Sequence, residues 1–184
     1  MWADVYIATA ATSTIVALGV TAPEGELPRE SSRFLPKRPV IACVLATIVG
    51  MILIAVAAAR WHVGADYWDY ERGFTRRVAT PLSSLGVFDE PGLYIVAKFA
   101  AMIRNDPAIM FGLVSAATIG LIVWTFYRST QAFAMAILLF VITSNWQGTF
   151  NGIRQFVAVA ILFAGHSFII NRHPKRWLLV VLLA

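Results

Sequence analysis

The run Val40–Ala59, VIACVLATIVGMILIAVAAA, contains neither a charge nor a proline. About 20 apolar residues are what a helix needs to cross a hydrocarbon core near 30 Å thick. In lipid the backbone must bond within the chain, so a run of this kind can only be a membrane helix. Further apolar runs occupy Val5–Val20, Ala108–Phe126, Ala132–Thr143 and Phe156–Ile170. Together they predict an all-α, polytopic transmembrane bundle of about five full spans. Of the 184 residues, 59% are hydrophobic and 14% charged. Soluble domains carry roughly 25% charged residues, so the chain reads as a single integral-membrane domain over 1–184.

The loops orient these spans. Arg29, Arg33, Lys37 and Arg38 in Thr21–Pro39, then Arg128, then Arg172, Lys175 and Arg176, all fall on one side. Positive charge in short loops marks the cytoplasmic face. The start, Met1-Trp-Ala-Asp, lacks the basic region of a cleaved signal peptide and is expected outside. Arg60–Tyr94 and Asn151–Arg154 are then also outside. Gly92–Arg104 is apolar but too short to cross, with Lys98 in its middle; it reads as a re-entrant or interfacial helix stopped by Asn105-Asp106-Pro107. Trp177–Ala184 begins another span and ends within it, so a longer protein is expected. The net charge of +5 lies largely in short loops and calls for no nucleic-acid partner. Cys43, the single cysteine, offers no intrachain disulfide and no cysteine metal site.

The segment from Arg60 to Tyr94 is the most charged and aromatic part of the chain. It mixes Arg60, Arg72, Arg76 and Arg77 with Asp66, Asp69, Glu71, Asp89 and Glu90. On a helix starting after Gly64, Asp66, Asp69 and Tyr70 share a face, because positions three and four apart are neighbours. A carboxylate there can act as a general base on a hydroxyl; equally, Asp66 and Asp69 can pair with Arg72, Arg76 or Arg77. Arg154 stands in the first turn of a helix that Asn151 can cap, so free N–H groups and a guanidinium converge. That suits a phosphate or diphosphate, or else an arginine snorkelling to the interface. Trp61, Tyr67, Trp68 and Tyr70 can stack on sugars or form an aromatic belt. His62 and His166 lack partners at metal-ligand spacing, and no nucleotide loop, zinc motif or nucleophile elbow is present.

Three motifs, Arg60-Trp-His-Val-Gly64-Ala-Asp66-Tyr67, Glu90-Pro91-Gly92-Leu-Tyr94 and Asn151-Gly-Ile-Arg154-Gln155, resemble in order and spacing those of the EpsG family. These bacterial membrane proteins serve exopolysaccharide and capsule synthesis. The resemblance runs from about Val40 to the end; Leu93 departs from the usual aromatic, with Tyr94 beside it. It implies a glycosyltransferase-type polymerase, in the cytoplasmic (inner) membrane, joining repeat units carried on a polyprenyl diphosphate. Its partners would be that lipid-linked oligosaccharide, membrane lipid and other polysaccharide-synthesis proteins.

In this reading Arg60 and Arg154, with Asn151 and Gln155, bind the departing diphosphate, and Asp66 takes the hydroxyl proton. Asp69 or Glu90 are alternative bases, and Tyr67 and Tyr70 stack on sugars. No cofactor and no metal is assigned, although Asp66, Asp69 and Glu90 can supply oxygen ligands. The competing readings are a transporter of lipid-linked glycans, whose site would sit near the bilayer midplane, and a non-catalytic subunit of a synthesis complex.

Overall fold

The computed structural model describes residues 2–20, 40–60, 62–64, 66–86 and 89–184. Among them it contains helices and no strands, as a helical membrane bundle requires. The predicted basic loop Thr21–Pro39 and Trp61 lie outside the described residues. Helices α2 (Val40–Ala58), α5 (Pro107–Ser129) and α8 (Ile153–Ile170) are each long and apolar enough to cross a membrane. Helices α6 (Phe133–Ile142) and α7 (Asn145–Asn151) form a fourth candidate as one span bent by 53°. Helix α1 (Trp2–Leu18) has 17 residues, a rise of about 26 Å, a little less than a hydrocarbon core.

The count is therefore three to four spans among the described residues, where the apolar runs led to about five. The clearest difference is at Ala132–Thr143. Helix α6 has 10 residues and rises only about 15 Å. It stops because Ser144 turns into the left-handed region at φ 62°, and α7 leaves at an angle.

Helices α2 and α5 pack antiparallel and closely. A Cβ on Gly50 would stand 3.7 Å from Val123, and one on Gly112 would stand 3.8 Å from Ala58. Helix α1 lies against α2 and α6, and α8 against α5. Helix α9 (Pro174–Leu183) folds back along α8 where Gly165 meets Val180. At one end of the bundle Ser129 Oγ and His166 Nε2 are 3.3 Å apart, tying the C-terminal parts of α5 and α8 together. Arg128, Arg172, Lys175 and Arg176 follow at that end.

The opposite end carries two short helices, α3 (Tyr67–Ala79) and α4 (Pro91–Ile103). In α3 the buried residues Tyr67, Tyr70 and Phe74 recur at helical spacing, the stripe expected of a surface helix. Its other face holds Asp69, Arg72 and Arg76, all exposed. Helix α4 buries Leu93, Tyr94, Ala97 and Ala100, while Ile95, Phe99, Met102 and Ile103 remain exposed. One helix thus shows water a charged face, and its neighbour shows lipid an apolar one. Gly92–Arg104 is thus the short apolar helix expected, re-entrant or interfacial. Lys98 fits there because its Nζ donates to the Val78 carbonyl at 2.7 Å, near the C-terminus of α3, where a helix favours a cation. Asp106 caps α5 by accepting from Ala108 N at 2.9 Å, with Pro107 at the first helical position.

Candidate functional site

The two polar segments that the chain separates by some ninety residues meet at the α3–α4 end of the bundle. Arg60 follows α2 and points inward rather than to solvent. It is only 4% exposed. Its Nη1 donates to the Phe150 carbonyl at 2.8 Å, and the guanidinium carbon stands 4.3 Å from the Phe111 ring centroid and 5.7 Å from that of Phe150. Burial pulls its pKa down to about 10, which leaves it cationic at neutral pH. The structure places Arg60, expected to meet a diphosphate, with its guanidinium enclosed by two rings and a carbonyl, where it fastens the segment after α2 to the end of α7.

Gly64 makes the second fastening. Its φ is +107°, and a Cβ added there would come within 2.6 Å of Asn151 Oδ1 and 3.3 Å of the Phe150 carbonyl oxygen. Both facts require glycine. The close approach is to the protein's own α7 rather than to a ligand. Asn151 ends α7, and the N-cap of α8 is Gly152, without a side-chain cap bond. The N-cap position of α8 thus falls on Gly152, one residue later than expected, and the Asn151 side-chain oxygen lies close to Gly64. Gln155, three residues after Gly152, folds back until its Oε1 would be 3.0 Å from a Cβ there.

Arg154 remains in the first turn of α8, exposed, with its Nη1 donating to Glu90 Oε1. The Tyr70 side chain is near enough to interact with it electrostatically. Three side chains from three elements converge here: Tyr70 from α3, Glu90 at the head of α4 and Arg154 from α8. Glu90 precedes Pro91, which disfavours a helical conformation at Glu90. Its φ −97° and ψ 85° carry the carboxylate back towards α8.

Asp66 lies within this frame. It is the N-cap of α3 but makes no side-chain cap bond, and it is partly exposed. Gly64, two residues before it, packs closely on Asn151, and Tyr70, one helical turn after it, interacts with Arg154, so residue 66 stands in the chain between two positions that meet the 151–154 segment. Asp69 is elsewhere. Its Oδ1 accepts from Arg72 at 3.1 Å, with side chains 79% and 74% exposed, so it forms an ordinary surface ion pair.

Tyr67 and Tyr70 do not present ring faces to a sugar. Tyr67 is stacked on Phe111, ring centroids 5.2 Å apart, and burial, then Glu71, raises its pKa. Tyr70 is buried against the α3–α4 core, with Arg77 5.8 Å from its ring centroid. What sequence reasoning missed is that Tyr70 stands beside Arg154. Its spacing with Tyr67 and Phe74, the buried stripe of α3, was the available signal. Among the described residues no three His, Cys, Asp or Glu side chains gather to hold a metal ion.

Residues 43–184 match the family model described as the EpsG family. No curated protein and no solved structure matches the chain.

Proposed function

The chain belongs to the EpsG family, and from that premise we propose that it joins polyprenyl-diphosphate-linked repeat units into a polysaccharide on the outer face of the bacterial cytoplasmic membrane. Family membership and the apolar helices associate it with polysaccharide biosynthesis at a membrane; the reaction and its substrate are our reading. The observation that carries it is the convergence of Arg154, Glu90 and Tyr70 at the N-terminus of α8, beside the partly exposed Asp66.

A helix N-terminus offers free N–H groups and a positive dipole end, and Arg154 adds a planar fork suited to phosphate oxygens. A hydroxyl of one repeat unit attacks the anomeric carbon of the other. The bond from that carbon to the diphosphate oxygen breaks, and the diphosphate leaves with the electron pair. Asp66 accepts the hydroxyl proton, and Arg154 stabilises the charge on the leaving group. Glu90 keeps the guanidinium oriented until substrate competes for it. Arg60 acts at a distance, by holding Phe150 and hence the start of α8. The partner is the lipid-linked oligosaccharide, with other synthesis proteins beside it in the cell.

The transporter reading requires the charged groups near the bilayer midplane. The location of Asp66, Glu90 and Arg154 at helix ends favours the polymerase. Polymer length in cells carrying Asp66→Asn tests the assignment, with Asp69→Asn as control. Loss of a positioned general base costs about 10²–10⁴ in rate, so Asp66→Asn is expected to leave short or no chains while Asp69→Asn keeps them. Normal chains from Asp66→Asn move the base to Glu90.

A further inference from the structure

A groove of about 550 Å³ runs along the flank of the bundle between α2 and α5. Ala46, Gly50, Met51, Ile54, Gly120 and Val123 line it. Gly120 is the informative member. Helix interiors disfavour glycine, yet a Cβ built on Gly120 would meet nothing within 4 Å. Neither packing nor a positive φ calls for glycine at this position. Its missing side chain does one thing, which is to leave the groove hollow.

The groove has a direction. Because α2 and α5 are antiparallel, Cys43 and Arg128 lie together at one end and Ile54 at the other. From Cys43 to Ile54 the helix rises about 16 Å, close to half of a hydrocarbon core near 30 Å thick. The hollow is therefore about as long as one leaflet is deep, and it opens towards the basic end of the bundle. There the Arg128 guanidinium carbon stands 4.7 Å from the Trp124 ring centroid, and both side chains are exposed. A cation at the mouth of an apolar slot one leaflet deep complements a lipid phosphate above an acyl chain.

We propose that this groove binds an anionic glycerophospholipid from the leaflet at the Arg128 end. One acyl chain lies along Met51, Ile54 and Val123, and the headgroup phosphate meets Arg128. The site is at the opposite end of the bundle from Arg154 and does not depend on the polymerase reading. It is tested on the full-length protein, purified in detergent, mixed with equimolar phosphatidylglycerol and phosphatidylcholine and examined by native mass spectrometry. Wild type is expected to retain one phosphatidylglycerol, in severalfold preference over phosphatidylcholine. Gly120→Leu fills the hollow and loses the adduct; Arg128→Gln, an exposed substitution that leaves the packing intact, keeps an adduct but loses the preference. Protection of Cys43, the native thiol in the groove, from maleimide by phosphatidylglycerol should disappear in Gly120→Leu. Equal retention of both lipids by wild type, a prenyl lipid retained in their place, or undiminished retention by Gly120→Leu would overturn the proposal.

Discussion

Two arginines with the same charge stand in opposite circumstances, and they should fail differently when changed. Arg60 is buried between Phe111 and Phe150 with its bond to the Phe150 carbonyl. Arg60→Ala leaves that acceptor without its donor and is expected to cost about 1–3 kcal/mol of stability, read as a lowered melting temperature in detergent. Arg154 is exposed beside Glu90. Arg154→Lys keeps the charge and loses the fork, so polymer yield should collapse while the melting temperature stays near wild type. Full activity in Arg154→Lys would make this residue an interfacial anchor. Both residues were diphosphate candidates, Arg60 through the family resemblance and Arg154 also through its place in the first turn of a helix. What separates them is which side chains surround the guanidinium, and Phe111 and Phe150 come from distant parts of the chain. The Asp69–Arg72 pair was legible because it is local, one turn apart on one helix.

At the scale of elements, the apolar runs and their breakers are strongly encoded. Asp106-Pro107 caps α5 and the stripe Tyr67, Tyr70, Phe74 makes α3 a surface helix. The kink between α6 and α7 was not legible, because it rests on the left-handed conformation of Ser144, a residue that gives no such signal in the sequence. Gly64 was legible as a glycine that matters, but its neighbour was not. With φ +107° and Asn151 Oδ1 in the way, Gly64→Ala should cost about 1–3 kcal/mol and reduce activity with it. Adding Asn151→Gly should recover only part of the loss, since the φ strain stays. A thermal-melting cycle of the two variants checks this; complete recovery would mean that contact alone decides the position. Gly148 is similarly tight, with the Phe156 ring where its Cβ would be.

At the scale of the whole molecule, we propose that Arg60–Tyr94 and Asn151–Arg154 build one site on the non-cytoplasmic face. The structure joins them through the Arg60–Phe150, Gly64–Asn151 and Glu90–Arg154 contacts. The side of the membrane is the one that the basic loops of the sequence predict. Single cysteines at the exposed positions Ser84 and Asn145, in a Cys43→Ser background, should both react with an impermeant maleimide from outside intact cells. Labelling of either one only after the cytoplasm is opened would break the shared outer site. The chemistry is tested most directly by supplying radiolabelled repeat units on polyprenyl diphosphate to the full-length protein in liposomes. A ladder of lengthening chains, lost in Arg154→Lys and Asp66→Asn, is the predicted result; unchanged repeat units that become protected inside the vesicles would instead identify a transporter.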